Sequence, residues 1–427
     1  MNGGTGGAVN GTPGAGRPSG VNGSPGAASS PGPTTAGRTV LLDGRRVVLV
    51  EPPLKSGGQA AVFTVAGEDD IVVKIYRDPP GPDQERRLTR MLAMSPLGGR
   101  PLDSSQPSEL AWPTALARTP QGECAGYAMR RFGEPEHVRL VGLFTRSQRL
   151  KLFPGRADWR FLLGVSWNLA FMTARMHHEN LVIGDFSSNN VVVDANGFVT
   201  FLDCDSIAFT DPATGEVFPC LMHTTDYSAP ERQAGGPATR ASDDFALSVL
   251  IYQLLSGGDH PFGGVPHDST SESTVKDNIA ASVSYVVRPE AVTIPRGTIN
   301  PTILPPDLLT LARAAFGPGV NAPAARPTAE AWLRALDKER REVQQCADRP
   351  LHVYGSHLSA CPWCARVAAT GHDVFNLPVR GAAGQPLQPT PPYGTTVGAG
   401  VSFRPLLVVV GVLVVLLVVV VLARASS

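Results

Sequence analysis

The stretch IGDFSSNNVVVDANGFVTFLDCD, residues 183–205, decides the fold of this chain. Its polar residues have fixed intervals, because Asn190 follows Asp185 by five positions and Asp203 follows it by eighteen. The apolar run at residues 191–193 predicts a strand between them. Since Asn190 and Asp203 stand on either side of a tight strand pair, their oxygens can converge on one metal ion. The alternative is an Asp- and Asn-rich turn that only caps the strands.

A lysine stands out upstream of this stretch, because the sequence has only 5 lysines among its 37 basic residues. Lys74 lies in the apolar run VVKIY, residues 72–76, which predicts a short strand with the lysine facing inward. Glu85 follows eleven residues later in a segment with helical spacing, where Asp83 is a competing carboxylate. Ahead of Lys74, the run SGGQAAVF at residues 56–63 indicates a glycine-containing turn. An ordinary salt-bridging lysine on an edge strand is the alternative.

Together these motifs resemble, in order and spacing, those of the protein kinase family across residues 38–343. The resemblance implies that the turn is a glycine-rich loop whose backbone N–H groups cover the phosphates of ATP. It also implies that Lys74 holds the α- and β-phosphates and pairs with Glu85. Only one of the family's three loop glycines is retained, so an ordinary hairpin turn stays open for this segment. The implied nucleotide-binding residues are Gly57, Gly58, Val62, Lys74 and Glu85.

The same resemblance assigns the chemistry to the first stretch. Asp185 would accept or orient the proton of the substrate hydroxyl, while Asn190 and Asp203 would hold Mg²⁺ that bridges the phosphates. With Lys74, these three residues form the implied catalytic set.

Later landmarks agree with this family. The run YSAPE at residues 227–231 resembles the end of an activation segment, and Asp243 opens a predicted buried helix. The run HPF at residues 260–262 follows that helix, and Arg326 stands where the family pairs an arginine with Glu231. These features resemble protein kinases rather than small-molecule kinases, so a protein substrate is expected.

Several positions depart from the family's pattern. Ile183 and Gly184 replace the His and Arg before the catalytic Asp, so we do not expect control by a phosphorylated activation loop. Ser187 replaces a Lys near the γ-phosphate, and the loss of one transition-state cation can cost on the order of 3 kcal/mol. Asp205 replaces the Gly of the metal motif and is a candidate for an extra metal ligand. A low rate is therefore expected.

The departures also bear on the partners of this chain. They resemble a divergent bacterial subfamily that has a C-terminal Cys-Pro-Trp-Cys run. That resemblance implies a von Willebrand-type domain protein and a metal-dependent protein phosphatase as partners. The 37 Lys and Arg residues balance the 37 Asp and Glu residues, which argues against a nucleic-acid partner.

Four residues beyond the kinase-like region predict a zinc site. Cys361 and Cys364 flank a Pro-Trp pair in a tight turn that can direct two thiolates at one ion. Cys346 and His352 lie fifteen and nine residues upstream of Cys361, which completes a tetrahedral Cys₃His set. His357 is the rival imidazole. The alternatives are a disulfide, which is rare in the cytoplasm, and a redox pair, which needs a thioredoxin-like unit.

The last hydrophobic segment predicts a membrane anchor. Residues 406–423 are all apolar or Gly and lie between Arg404 and Arg424, so they are long enough to cross the hydrocarbon core as a helix. Arginines precede this segment and no secretory signal stands at the N-terminus, so the positive-inside rule favours a cytoplasmic position for the part before it. We expect a single-pass protein of the cell membrane with its kinase-like domain in the cytoplasm.

The expected domain organisation follows from composition. Residues 1–37 hold 12 Gly and 5 Pro and predict a disordered tail. The kinase-like domain is expected at residues 38–343. The other predicted segments are a zinc-binding knot at 344–366, a flexible linker at 367–404, the transmembrane helix at 405–423 and a short tail at 424–427.

The sequence therefore predicts an α+β chain with a bilobal protein-kinase-like fold, a β-rich N-terminal lobe and a helical C-terminal lobe, plus one C-terminal transmembrane helix. The expected function is a membrane-anchored serine/threonine-protein kinase in signalling that uses ATP and Mg²⁺, with a structural Zn²⁺. A pseudokinase, which would be an ATP-binding scaffold with little phosphotransfer, is the alternative that the sparse glycine loop, Gly184 and Ser187 favour. A zinc-binding interaction protein without a nucleotide is a third.

Overall fold

The computed structural model describes residues 37–94, 96–98, 110–268 and 273–376. In these residues a β-rich N-terminal lobe precedes a helical C-terminal lobe, which confirms the predicted α+β, kinase-like fold. The strands are β1 (Thr39–Leu42), β2 (Arg45–Val48), β3 (Lys55–Ser56), β4 (Ala60–Val65), β5 (Glu68–Tyr76), β6 (Ala115–Arg118), β7 (Cys124–Arg130), β8 (His137–Arg139), β9 (Val191–Asp194), β10 (Val199–Phe201), β11 (Phe209–Thr210), β12 (Val217–Phe218), β13 (Val265–Pro266), β14 (Val292–Thr293), β15 (Val343–Gln345) and β16 (Val353–Gly355). The α-helices are α1 (Pro82–Ala93), α2 (Val141–Phe144), α3 (Arg146–Leu152), α4 (Trp159–His178), α5 (Pro230–Gln233), α6 (Arg240–Leu255), α7 (Val275–Ala280), α8 (Pro306–Phe316), α9 (Pro318–Asn321), α10 (Ala329–Glu339) and α11 (Pro362–Thr370).

The N-terminal lobe is built on one antiparallel sheet with the strand order β2-β1-β6-β7-β5-β4-β3. One face of this sheet carries a small apolar core to which Val73 and Ile75 of β5 contribute. Because side chains alternate along a strand, Val72, Lys74 and Tyr76 face the opposite side. The alternation therefore points the singled-out lysine away from the apolar core and toward the C-terminal lobe.

The C-terminal lobe is centred on α4, which is buried on most of its faces as its apolar composition predicts. Asp158 caps the helix, because its Oδ1 accepts a hydrogen bond from Phe161 N at 2.8 Å. Trp159 donates from Nε1 to the carbonyl of Leu255 in α6 at 3.2 Å. Helices α6 and α10 both pack against α4, so the loops that emerge from this bundle rest on a rigid base.

Some element boundaries differ from the sequence prediction. Helix α1 begins at Pro82 rather than Glu85, since proline is favourable in the first turn where its missing N–H is not needed. The apolar pattern predicts a strand at residues 112–117 and a helix at residues 246–255, whereas the strand begins at Ala115 and the helix at Arg240. Thr239 starts that helix with a capping box that the apolar pattern alone does not reveal.

The C-terminal end of the described chain also departs from the prediction. Helix α11 continues to Thr370 and Phe375 is buried against Trp363, with 4.9 Å between ring centroids, so the predicted linker at 367–404 does not begin at residue 367. The predicted N-terminal tail, apart from residue 37, and the predicted transmembrane helix at 405–423 lie outside the described residues. None of the helices within the described ranges has the length and apolarity needed to cross a membrane.

Candidate functional site

A cleft of about 730 Å³ opens below the N-terminal sheet. Five residues that the sequence singled out line it: Gly57 and Gly58 in the turn after β3, Val62 on β4, Lys74 on β5, and Asp203. This volume lies within the range of about 300–1,000 Å³ that is usual for small-molecule sites. The structure therefore brings the predicted glycine turn, the lysine and one of the two predicted Mg²⁺ ligands to a single cavity.

The pairing of β9 with β10 places the two predicted Mg²⁺ ligands beside each other. Val191 lies opposite Phe201 in this hairpin. Just beyond it, Leu202 N donates to the carbonyl of Asn190 at 2.8 Å. Asp203 follows in a left-handed backbone conformation, with φ of 53°, and lines the cleft. Amide and carboxylate oxygens are ligands that suit Mg²⁺, so this donor set fits the ion.

Asp185 is oriented by two neighbouring side chains. Asn190 Nδ2 donates to both the carbonyl oxygen and Oδ2 of Asp185, at 3.0 Å each. Thr224 donates from Oγ1 to Oδ1 of Asp185 at 2.7 Å. Because Asn190 uses its amide nitrogen for these contacts, its side-chain oxygen is left for a metal ion.

The backbone just before Asp185 is held by Asp243 at the start of α6. Its carboxylate accepts hydrogen bonds from Ile183 N at 2.7 Å and Gly184 N at 2.9 Å, and contacts His177 Nε2 at 3.1 Å. Gly184 has a φ of +75°, and a Cβ there would lie 2.5 Å from Cys220 Sγ. Gly184 stands where the kinase pattern has an arginine. Cys220 occupies the space that a side chain at this position would need.

Lys74 is paired with two carboxylates. Its Nζ lies 2.7 Å from Asp205 Oδ1 and 3.3 Å from Asp203 Oδ1. Burial by itself lowers the pKa of Lys74, but the charges of Asp205 and Asp203 outweigh that effect, and the pKa is raised above its ordinary value. Lys74 therefore stays protonated at the wall of the cleft.

Glu85 does not pair with Lys74, in contrast to the expectation from the resemblance. Its Oε1 accepts a hydrogen bond from Arg118 Nη2 on β6 at 2.6 Å. The neighbouring residue Gln84 instead reaches β5, where it donates to Tyr76 OH at 2.9 Å. The rotation of α1 about its axis therefore turns its carboxylate away from the lysine.

Three arginines hold the activation segment. Arg326 is buried and donates two hydrogen bonds to the carboxylate of Glu231, at 2.6 and 2.8 Å, which is the pair that the sequence indicated. Arg87 of α1 donates to the carbonyls of Ile207, at 2.7 Å, and of Pro219. Arg232, the third arginine, donates to the Met222 carbonyl at 2.8 Å. These contacts connect the segment to α1 and to the loop that carries Arg326.

The cleft also contains cations that sequence analysis missed. Lys55, Arg131 and Arg139 line it together with Lys74. Burial lowers the pKa of Lys55, and the nearby charge of Arg139 lowers it further. Their positions depend on how the strands and the segment after β7 fold around the cleft, for which the sequence carries no motif. Ser187, by contrast, is buried and brings no charge.

The predicted zinc ligands Cys346, His352, Cys361 and Cys364 come together, with their ligand atoms all within 4.8 Å of one another. Cys346 Sγ lies 3.6 Å from Cys364 Sγ, which is far longer than a disulfide bond. His352 Nδ1 lies 3.6 Å from Cys361 Sγ and 3.4 Å from Cys364 Sγ. Tetrahedral zinc with ordinary bond lengths separates two sulfurs by about 3.8 Å and a sulfur from a nitrogen by about 3.6 Å. The four residues fit Zn²⁺, and the rival His357 is not part of the cluster.

A carboxylate that sequence analysis assigned to the linker supports this cluster. Asp373 Oδ1 lies 2.9 Å from His352 Nε2, and Asp373 also accepts a hydrogen bond from Arg349 at 2.7 Å. Such a contact orients a metal-binding histidine and selects the tautomer that offers Nδ1 to the ion. Gly371, with φ of 70°, ends α11 and turns the chain back toward His352. This glycine is a helix-end signal in the sequence that could have placed the start of the predicted linker after residue 371.

Comparisons with known proteins find sequence relatives that are named as protein kinases. No protein-family model matches the sequence. The chain is 32% identical over 322 residues to protein kinase YegI of Escherichia coli, across 73% of this chain and 48% of the relative, so it spans about half the length of these curated relatives. It is 25% identical over 220 residues to serine/threonine-protein kinase PknL of Mycobacterium tuberculosis, across 49% of this chain and 55% of the relative. A solved structure, the ROP18 kinase domain in complex with AMP-PNP and sucrose, aligns with a TM-score of 0.48 and 15% identity over 72% of this chain and 85% of that chain.

Proposed function

We propose that this homologue of protein kinases transfers the γ-phosphoryl group of ATP to a Ser or Thr hydroxyl of a protein. One observation carries the proposal: hydrogen bonds and chain neighbours connect the four predicted catalytic residues, two of which, Lys74 and Asp203, line the cleft. Asp185 contacts Asn190, the backbone of Asn190 pairs with Leu202 beside Asp203, and Asp203 contacts Lys74. The homology to proteins named as kinases supports the same reaction.

In this proposal each residue has a separate task. Lys74, whose pKa is raised by its carboxylate neighbours, binds the α- and β-phosphates as a permanent cation. Asp185 accepts or orients the proton of the attacking hydroxyl, and Asn190 keeps its carboxylate in place. Asn190 and Asp203 would hold Mg²⁺, which supplies charge neutralisation of the phosphates when it is bound.

A pseudokinase is the second candidate, and a specific feature favours it. Ser187 is buried and no cation stands at its position, so transition-state stabilisation is weaker than in an ordinary protein kinase. Lys55 and Arg139 line the same cleft and offer positive charge to the phosphates from another side. We therefore propose slow transfer rather than none.

The proposal also covers the metal site, the membrane anchor and the partners of this chain. The Cys₃His cluster is proposed to hold a structural Zn²⁺, which is supported by its tetrahedral spacings and by the Asp373 contact to His352. Anchoring of the chain in the cell membrane through residues 405–423, with the kinase domain in the cytoplasm, is proposed from the apolar sequence alone. A von Willebrand-type domain protein and a metal-dependent phosphatase are proposed partners from the resemblance alone.

The test is incubation of the purified full chain with γ-labelled Mg·ATP and a generic basic protein, followed by phosphoamino-acid analysis and by calorimetric titration with Mg·ATP. Label on serine or threonine supports the kinase. Binding of Mg·ATP without any label supports the pseudokinase, and no binding at all excludes both.

A further inference from the structure

Asp205 lies in a pocket of hydrogen-bond donors. Its side chain is 8% exposed, and Oδ1 accepts from Lys74 Nζ at 2.7 Å and from Tyr127 OH at 2.8 Å. Oδ2 accepts from Tyr76 OH at 2.7 Å. This carboxylate is a buried anion whose oxygens are committed to the protein.

The neighbouring carboxylate of Asp203 has the opposite surroundings. Its side chain is 36% exposed, it lines the cleft, and its contact with Lys74 is longer, at 3.3 Å. Asp205 is not among the residues that line the cleft. The two acids of the Asp-Cys-Asp run therefore have different surroundings: Asp203 is accessible to a metal ion, whereas the Asp205 carboxylate contacts Lys74 and two tyrosines.

Helix α1 contributes no carboxylate to this group. Glu85 is used by Arg118, and Gln84 reaches the group only through the hydroxyl of Tyr76. Lys74 and Tyr127, on the other hand, lie directly opposite each other on the paired strands β5 and β7, and Tyr76 is two residues along β5. The donors that hold Asp205 thus belong to one sheet.

We propose that Asp205 is the positioning residue that orients Lys74 toward the nucleotide, in place of a carboxylate from helix α1. Tyr76 and Tyr127 hold Asp205, so the ion pair is set by the sheet and by the run that follows β10. A movement of α1 does not break it. The inference rests on the proposed kinase function, because it concerns how that site binds ATP.

The experiment compares three variants of the full chain with wild type: Asp205→Asn, Glu85→Gln and Asp83→Asn. Asp83 is a matched control, since its side chain is 92% exposed on the same helix. The KM for ATP, the KM for a protein substrate, kcat, and the affinity for Mg·ATP by calorimetry are measured for each. Truncating one member of a buried charge pair weakens an interaction far more than loss of a surface pair does.

Asp205→Asn is expected to lower kcat/KM for ATP by about 30-fold or more. The loss should fall on ATP affinity and leave the KM for the protein substrate unchanged, a split that general misfolding would not produce. The kcat/KM for ATP of Glu85→Gln should stay within about fivefold of the wild-type value, and that of Asp83→Asn should equal the wild-type value. Tyr76→Phe, which keeps the ring and removes one donor to Asp205, should weaken ATP binding in the same direction by a smaller factor, so the idea stays testable if Asp205→Asn does not fold.

Two results would overturn the inference. Loss of ATP affinity in Glu85→Gln, with Tyr76→Phe equal to wild type, would return the positioning role to helix α1. Unchanged ATP affinity in a folded Asp205→Asn would remove the role of Asp205. If wild type itself does not bind Mg·ATP, the proposed kinase function fails and takes the inference with it, which distinguishes that failure from the first two.

Discussion

Gly184→Ala should destabilise the protein by far more than an ordinary glycine substitution. Gly184 has a φ of +75°, where an L-residue with a Cβ is disfavoured by about 1–2 kcal/mol. The new Cβ would lie 2.5 Å from Cys220 Sγ, 2.6 Å from Cys220 Cβ and 3.3 Å from Ala238 Cβ. Overpacking of this kind costs about 1–3 kcal/mol, so the expected loss in free energy of unfolding is about 2–5 kcal/mol.

The measurement is urea denaturation of wild type and variants, with phosphotransfer measured in parallel. Gly215→Ala is the matched control, because Gly215 has a φ of +73° and nothing within 4 Å of an added Cβ, so it carries the backbone strain alone. Adding Cys220→Gly to Gly184→Ala should recover the part of the loss that comes from the clash.

The activity readout follows from the hydrogen bond between Gly184 N and Asp243, which is 2.9 Å long and holds the loop that carries Asp185. A shift of this backbone should lower the transfer rate as well as the stability. If Gly184→Ala costs no more than Gly215→Ala, the packing of Cys220 against this loop is not what excludes a side chain there, and the reasoning fails.

Two further predictions concern the metal cluster and pH. Cys361→Ser should lower the zinc content of the purified full chain in elemental analysis, whereas His357→Ala should leave it unchanged. The reason is that Cys361 is one of the four residues of the cluster and His357 is not. Equal zinc content in both variants would contradict the assignment. Burial raises the pKa of Asp244 to about 7, with the charge of Asp243 adding to it. Since the folded-state pKa lies above the unfolded one, Asp244 contributes stability that is complete below about pH 4 and is lost as pH rises through about 7. Asp244→Asn should therefore be more stable than wild type at pH 8, by at most about 4 kcal/mol in the free energy of unfolding, and as stable as wild type near pH 4. Urea denaturation at both pH values measures this difference. A difference in stability that does not change with pH would refute the prediction.

Much of the candidate site could be predicted from residues that lie close together in the sequence. Asn190 and Asp203 could be identified because a short hairpin between them fixes their separation, and Cys361 and Cys364 because a tight turn does the same. The nearly continuous apolar run at residues 159–178 predicts a long buried helix with the bounds of α4, and Asp158 caps its start.

The remaining features of the site depend on contacts between segments that are distant in the sequence, so they could not be predicted from it. The partner of Lys74 depends on how α1 is rotated, and hydrophobic spacing does not determine which residue of α1 lies near Lys74 on β5 and which lies near Arg118 on β6. The setting of Asp205 needs Tyr76 and Tyr127, which are far away in sequence and meet it only through the sheet.

The most direct test of the central claim is transfer of the γ-phosphoryl group from Mg·ATP by the full chain, measured beside Asp185→Asn and Lys74→Met. These variants remove the proposed proton acceptor and the proposed phosphate-binding cation, and both residues belong to the contacts that connect the cleft. We expect slow transfer by wild type that falls to background in both variants, with Mg·ATP binding kept in Asp185→Asn. Transfer that persists in Asp185→Asn, or nucleotide binding by wild type with no transfer at all, would contradict it.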